Sequence, residues 1–327
     1  MPENIAQMKT DSVPVYEAVM KWLSGLWGSQ HYAANQPLLT TEEINRLIAT
    51  AGKSNKSQQL SSNQAGRSGE QASGLTGSGM DFADRRPYAF GDDPRYIDWK
   101  ASARSQQTLF KKYFTEVNTA SCIVIDRSSS MAFGTRKRLK ITQAIRVGVT
   151  LGTRILRGGQ SLACLILDET EYWQPAQNSL DAFRKTIDVS ARGYSLQSQQ
   201  ESVFNWRKMS DHLQNHLPSG SRVFIISDFF SLDQEGQVVL QQLNNRYDLS
   251  AVQIIDQSEV SLPPVHNISL HFRQKSKLDL NTPKVSKQFD RSLQQKIQQQ
   301  ADWFKTNGIH FFRLKSHDDL KQLRAEF

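Results

Sequence analysis

The sequence predicts an α/β protein built on a doubly wound, mostly parallel sheet. Two observations carry this. From residue 121 onward, short continuous apolar runs alternate with longer amphipathic stretches, the order of strands and helices in an α/β fold. Those apolar runs also lack the in-out alternation of a half-exposed strand, as expected where helices cover both faces of the sheet.

The elements follow in order. Residues 13–27 form an apolar-rich piece, and Thr40-Thr41-Glu42-Glu43 reads as a helix start, with Thr40 as cap and Glu43 reaching back to close a capping box. Between residues 53 and 79 the chain turns to Ser, Gln, Asn and Gly, a composition that buries too little to offset its ordering entropy and so predicts a loop or linker. Strands are then expected at 122–125, 162–167, 223–226, 249–255 and 309–312. Helices are expected at 139–156, 180–187, 203–216, 233–245 and 286–305, the last closed by Gly308, with a short final helix capped by Ser316. The resulting organisation is an N-terminal helical segment at 1–52, a linker at 53–79, a β-rich element at 80–118 and the α/β domain at 119–327.

Composition narrows the function classes. The 38% hydrophobic share is enough for one sizeable core, and a prior of roughly 150 residues per domain fits one main domain plus appendages. No apolar run reaches the ~18 residues of a membrane helix, and Met1-Pro2-Glu3-Asn4 opens no secretory signal, so a cytoplasmic protein is expected. The two cysteines, Cys122 and Cys164, sit inside apolar strand-like runs and read as buried reduced thiols. A net charge of +8 includes the run Arg136-Lys137-Arg138-Leu139-Lys140. That run reads as a solvated helix start, with an acidic or phosphate partner as the second reading.

In an open parallel sheet, ligands bind beyond the carboxyl ends of the strands. Asp126 stands at such an end, and Ser128 and Ser130 follow at alternate positions, so a carboxylate and two hydroxyls can converge. These hard oxygen donors suit Mg2+ as the cofactor, with Ca2+ or Mn2+ as alternatives. Asp228, at the end of the 223–226 strand, is a second carboxylate for the same crevice, and Ser195, after the turn Arg192-Gly193-Tyr194, is the loop candidate. Asp126, Ser128, Ser130, Ser195 and Asp228 thus form the expected metal set. The shell is incomplete for an ion that takes about six ligands, so water or an incoming Asp or Glu of a protein partner completes it.

The segment from Asp126 through Gly134 resembles the metal-ion-dependent adhesion motif of the von Willebrand factor A superfamily. The string from Arg86-Pro87-Tyr88-Ala89-Phe90-Gly91-Asp92-Asp93-Pro94-Arg95-Tyr96-Ile97-Asp98-Trp99 to Ser102-Ala103-Arg104 is similar to the signature of the bacterial domain of unknown function family fifty-eight. The similarity covers residues 79–255. It implies a von Willebrand A-type core preceded by the family's own β-rich element, and a non-enzymatic adaptor role beside a MoxR-type AAA+ ATPase in protein maturation or complex assembly. Asp126, Ser128, Ser130 and Asp228 match the motif positions, whereas the position usually held by Thr has only Ser195. No segment matches the N-terminal membrane helices of many family members.

Two other functions are weighed. A nucleic-acid-binding protein would need clustered Lys and Arg with aromatic platforms, whereas here basic and acidic residues are interspersed. A metal-dependent hydrolase could use Asp92, Asp93, Asp98 or Asp126, yet the sequence has no catalytic triad order, phosphate-binding glycine loop or His-Glu metal motif. The Gly91-Asp92-Asp93-Pro94 segment reads as a turn in a folded brace, with Asp98 pairing to Arg95 or Arg104.

Overall fold

In a computed structural model of the chain, the described residues are 37–51, 80–105, 107–115, 119–135, 138–168, 171–193, 203–260, 269–271, 277–279, 283–321 and 323. The apolar piece at 13–27, the expected linker at 53–79 and Ser195 lie outside them. The chain divides into two compact units, one from 55–118 and the other from 1–54 with 119–327.

The smaller unit contains an antiparallel pair, β1 (Met80–Pro87) and β2 (Leu109–Thr115). A 3-10 turn at Pro94–Tyr96 and a short helix, α2 (Trp99–Ser102), lie between them. Asp93 caps the turn and pairs with Arg95 at 2.7 Å. Asp98 caps α2 through the Ala101 amide and pairs with Arg85 at 2.9 Å. Its partner is therefore neither Arg95 nor Arg104, because the hairpin brings β1 alongside the α2 cap.

The larger unit is the expected mixed α/β fold. Its six-stranded sheet has the order β10-β7-β6-β3-β4-β5, with β3 (Ser121–Asp126), β4 (Leu162–Leu167), β5 (Glu171–Gln177), β6 (Arg222–Ser227), β7 (Asp248–Ile255) and β10 (His310–Lys315). All neighbours are parallel except β4 and β5. The antiparallel edge strand β5 was not legible as a strand in the sequence. On it, Gln177 opposes Leu162 and Gln174 opposes Cys164, so one extra residue is inserted at Pro175-Ala176 as a bulge. A separate antiparallel pair joins β8 (Ser269–His271) to β9 (Lys277–Asp279).

Apolar residues on both faces explain why β3, β4 and β6 are buried. Ile123, Ile125, Cys164, Phe224 and Ile226 join one core cluster with Ile141, Ile145 and Val149 of α3 (Lys140–Arg157) and Phe183 and Ile187 of α4 (Leu180–Ser190). Cys122, Val124, Leu165, Val223 and Ile225 join the other with Met209 and Leu213 of α5 (Trp206–His216), Leu240 and Leu243 of α6 (Gln234–Asn244) and Phe304 of α7 (Pro283–Thr306). Helix α1 (Thr41–Ala51) adds Ile44, Leu47 and Ile48 to the first cluster. Its cap is half of the expected box. The Glu43 amide donates to Thr40 Oγ1 at 3.2 Å, but the Glu43 carboxylate pairs with Arg146 of α3 at 3.1 Å.

Close approach explains one glycine: a Cβ on Gly152 of α3 would meet the Phe183 ring. Gly308 ends α7 at φ 68°, the left-handed cap its residue type permits. Beyond β10 the expected cap at Ser316 is not made. The Ser316 hydroxyl points inward and donates to Asp256 at 2.9 Å. Among the described residues, no helix is long and apolar enough to cross a membrane.

Candidate metal centre

The chain leaves β3 for β4 and β5 on one side, then returns to β6 on the other side of β3. The topological switch point therefore lies between β3 and β6, where an open sheet places its ligand crevice. Asp126 ends β3, and Ser227-Asp228 ends β6.

Asp126 is 1% exposed and shapes the loop that follows it. Its Oδ1 accepts the Ser128 amide at 2.7 Å, and its Oδ2 accepts the Ser227 hydroxyl at 2.5 Å. The first bond turns the chain into the 3-10 segment Ser129–Ala132. Ser128 Oγ and Ser130 Oγ consequently lie 3.2 Å apart. Burial, then the neighbouring Asp228 carboxylate, push the Asp126 carboxyl up to about 7, against the hydrogen bonds from Ser227 and Ser128.

Asp228 is held by a cation from within the protein. Lys140, the first residue of α3, is 2% exposed. Its Nζ donates to Asp228 Oδ2 and to Glu259 Oε1, both at 2.7 Å. The sequence suggested a solvated helix start at this position, and the structure overturns that for Lys140. Burial would lower the pKa of this ammonium, but the carboxylates of Asp228 and Glu259 outweigh it and raise the value above the usual lysine range. Burial raises Glu259 despite that same lysine. The other oxygen of Asp228, Oδ1, accepts the Phe230 amide at 2.9 Å. Phe229, between them, adopts φ 55°, unusual for an aromatic residue, while its ring stacks 5.9 Å from Trp206. This strained turn fixes the direction of Asp228.

Two further contacts brace the crevice. Glu259 Oε2 accepts the Asp256 amide at 2.7 Å. Asp256 in turn accepts both the amide and hydroxyl of Thr135, the hydroxyl and amide of Ser258, and the hydroxyl of Ser316. Arg127 points away from the crevice, pairing with Asp168 at 3.0 Å and donating to the carbonyls of Ser190 and Arg192. It thereby ties the β3 loop to the end of α4.

The structure brings together Asp126, Ser128 and Ser130, and sets Asp228 close enough to perturb Asp126. Sequence reasoning missed Lys140, Glu259 and Ser227. The available signal for Lys140 was that it opens the apolar period of a core helix. No three His, Cys, Asp or Glu side chains converge as a metal cluster among the described residues, so an ion here would rest on one carboxylate and hydroxyls. The donor set nevertheless fits a hard divalent cation. Asp126 and Asp228 place two buried carboxyl groups at the strand ends, Lys140 bridges Asp228 to Glu259, and Lys296 lines the same pocket as that pair; a bound cation would lower the cost of ionising Asp126 there.

The carboxylates of the smaller unit serve its fold. Asp92 pairs with Arg86 at 2.6 Å and accepts the Ala89 amide. The bound arginines Arg86, Arg95 and Arg85 hold Asp92, Asp93 and Asp98 below the usual carboxylate range.

A family model described as "Protein of unknown function DUF58" matches residues 84–300. Uncharacterized proteins of Mycobacterium bovis and Mycobacterium tuberculosis are each 24% identical over 199 residues, covering 60% of this chain and 61% of theirs. This chain thus spans under two thirds of the length of those relatives. A crystal structure of an aerotolerance-related membrane protein from Bacteroides fragilis, carrying multiple mutations to serines, aligns at TM-score 0.38 and 10% identity. That alignment covers 63% of this chain and 95% of that one.

Proposed function

This chain belongs to the DUF58 family, and from that premise we propose that it is a non-enzymatic, protein-binding adaptor with a metal-ion-dependent adhesion site on a von Willebrand A-type domain. One observation carries the reading. Asp126 is a buried carboxylate with no basic partner at hydrogen-bonding distance among the described residues, beside two hydroxyls at the switch point of the sheet.

Asp126, Ser128 and Ser130 would hold the ion, with Mg2+ favoured by the hard oxygen donors and Ca2+ or Mn2+ as alternatives. When bound, it would supply a Lewis-acidic position for a carboxylate. This chain's residues do the rest. Ser227 and the Ser128 amide orient Asp126, Asp228 adds negative potential, and water or a partner's Asp or Glu fills what the side chains leave. The partner proposed from the family resemblance is a MoxR-type AAA+ ATPase, in maturation or assembly of other proteins, and the setting is the cytoplasm.

Two observations favour this over the alternatives. The acids open to a hydrolase reading, Asp92, Asp93 and Asp98, cap local turns and pair with arginines. Lys140, part of the basic run that a nucleic acid would need, is buried on carboxylates.

The test is calorimetric titration of Mg2+ and Mn2+ into the wild type and Asp126→Ala. It is followed by binding of a purified MoxR-type ATPase from the same organism, with and without chelator. Ion binding lost in Asp126→Ala, with chelator-sensitive ATPase binding, is expected; equal ion binding by both proteins would sink the metal reading.

A further inference from the structure

We propose that Lys140 is a built-in counter-cation that weakens the affinity of the Asp126 loop for a metal ion by occupying Asp228 and Glu259. The inference rests on the metal reading above and adds a positioning residue that sets the strength of the site.

The geometry is unusual for a basic residue. Lys140 lies at the first position of α3, buried, with its ammonium 2.7 Å from each carboxylate and 5.8 Å from the Phe133 ring. Burying three ionised groups costs desolvation that an apolar packing would avoid, so such clusters are weak evidence for stability. Placement suggests a different role. Asp228 has Oδ2 on Lys140 and Oδ1 on the Phe230 amide, so its direction is fixed and the ammonium offsets its charge. Glu259 is likewise divided between Lys140 and the Asp256 amide. Of these three carboxyl groups, Asp126 is the one with no basic partner at hydrogen-bonding distance among the described residues.

A divalent ion feels each full charge within a few ångströms strongly at the low effective dielectric of a buried site. With the lysine in place, the ion meets a site of modest negative charge and an incomplete shell. An acidic group from outside then adds more to the bound state than it would in a site already saturated with carboxylates. Without the lysine, the charge of Asp228 is no longer offset by the ammonium.

The experiment is Mn2+ titration, followed by calorimetry and by the paramagnetic signal of free Mn2+, on the full chain. The variants are Asp126→Ala, Lys140→Met and the double variant Lys140→Met with Glu259→Gln. The double variant removes one of the two carboxylates that the single change would strand. Circular dichroism and thermal melts report the fold. Tightening of tenfold or more in a folded Lys140 variant, with binding lost in Asp126→Ala, supports the proposal.

If the wild type binds Mn2+ through Asp126 but both folded Lys140 variants bind with equal or weaker affinity, the counter-cation role is overturned and the metal reading stands. Absence of Mn2+ binding in every protein overturns both. Loss of fold in both Lys140 variants assigns the lysine to stability alone and overturns its role toward the ion.

Discussion

Lys140 and Glu259, 119 positions apart in the chain, meet at 2.7 Å beneath the carboxyl ends of the strands, where neither is open to solvent. Each charge in such a cluster depends on the others. Glu259→Ala is expected to destabilise the protein by about 3–5 kcal/mol, the usual cost of removing one partner from a buried pair, and Glu259→Gln by less. Urea unfolding of the three proteins measures this.

Asp126 gives the metal-free protein a pH dependence. Its folded pKa, about 7, lies above the ordinary carboxylate value of 3.8. The stabilising contribution is therefore complete below that ordinary value and is lost as pH rises through the folded pKa. In chelator, stability should fall between about pH 4 and pH 7 by more in the wild type than in Asp126→Asn. Parallel curves in urea melts across that range would remove Asp126 as the cause.

Asp256 acts with the opposite sign. Burial raises its carboxyl, but hydrogen bonds from Thr135, Ser258 and Ser316 outweigh this and hold it below 3.8. Its contribution is present above that value and disappears as pH falls through the folded pKa. Asp256→Ala strands those donors and should cost at least about 2 kcal/mol, given ~1–3 kcal/mol for each buried group left unpaired. Thr135→Val should cost less, and thermal melts near neutral pH separate the two.

Gly152 tests the packing of α3 on α4. Gly152→Ala places a methyl group against the Phe183 ring and should destabilise by about 1–3 kcal/mol through overpacking. A Phe183→Leu background should recover part of that loss. An additive double-mutant cycle would show that the two positions do not compete for space.

Ser130 separates ion binding from folding. Its hydroxyl is partly open and meets Ser128 Oγ at 3.2 Å. Ser130→Ala should therefore lower Mn2+ affinity several-fold while shifting unfolding stability by less than about 0.5 kcal/mol, as surface changes do. Calorimetry and urea melts on the same preparation give both numbers.

The sheet was legible in the sequence because its central strands are apolar on both faces. Ser121–Asp126, Leu162–Leu167 and Arg222–Ser227 each span an expected run. β5 was not legible, since Glu171, Gln174, Pro175 and Gln177 give an edge strand no apolar period. Asp126, Ser128 and Ser130 could be placed because strand, acid and hydroxyls are contiguous. Lys140 could not, because its partners come from far along the chain, Asp228 just past β6 and Glu259 on the short helix Gln257–Val260 after β7, and local composition pointed toward solvent. Ser316 misled for a similar reason: a serine after a strand resembles a cap until Asp256 is brought beside it.

The bulge at Pro175-Ala176 bears on how this molecule meets others of its kind. An exposed sheet edge is a template on which a foreign strand can lay down further hydrogen bonds. At β5 the proline has no amide hydrogen to offer, and the inserted residue throws the pleat out of step. That margin is therefore poorly suited to growth of the sheet by edge-to-edge stacking of copies, a safeguard against aggregation in a protein whose central strands are almost wholly apolar.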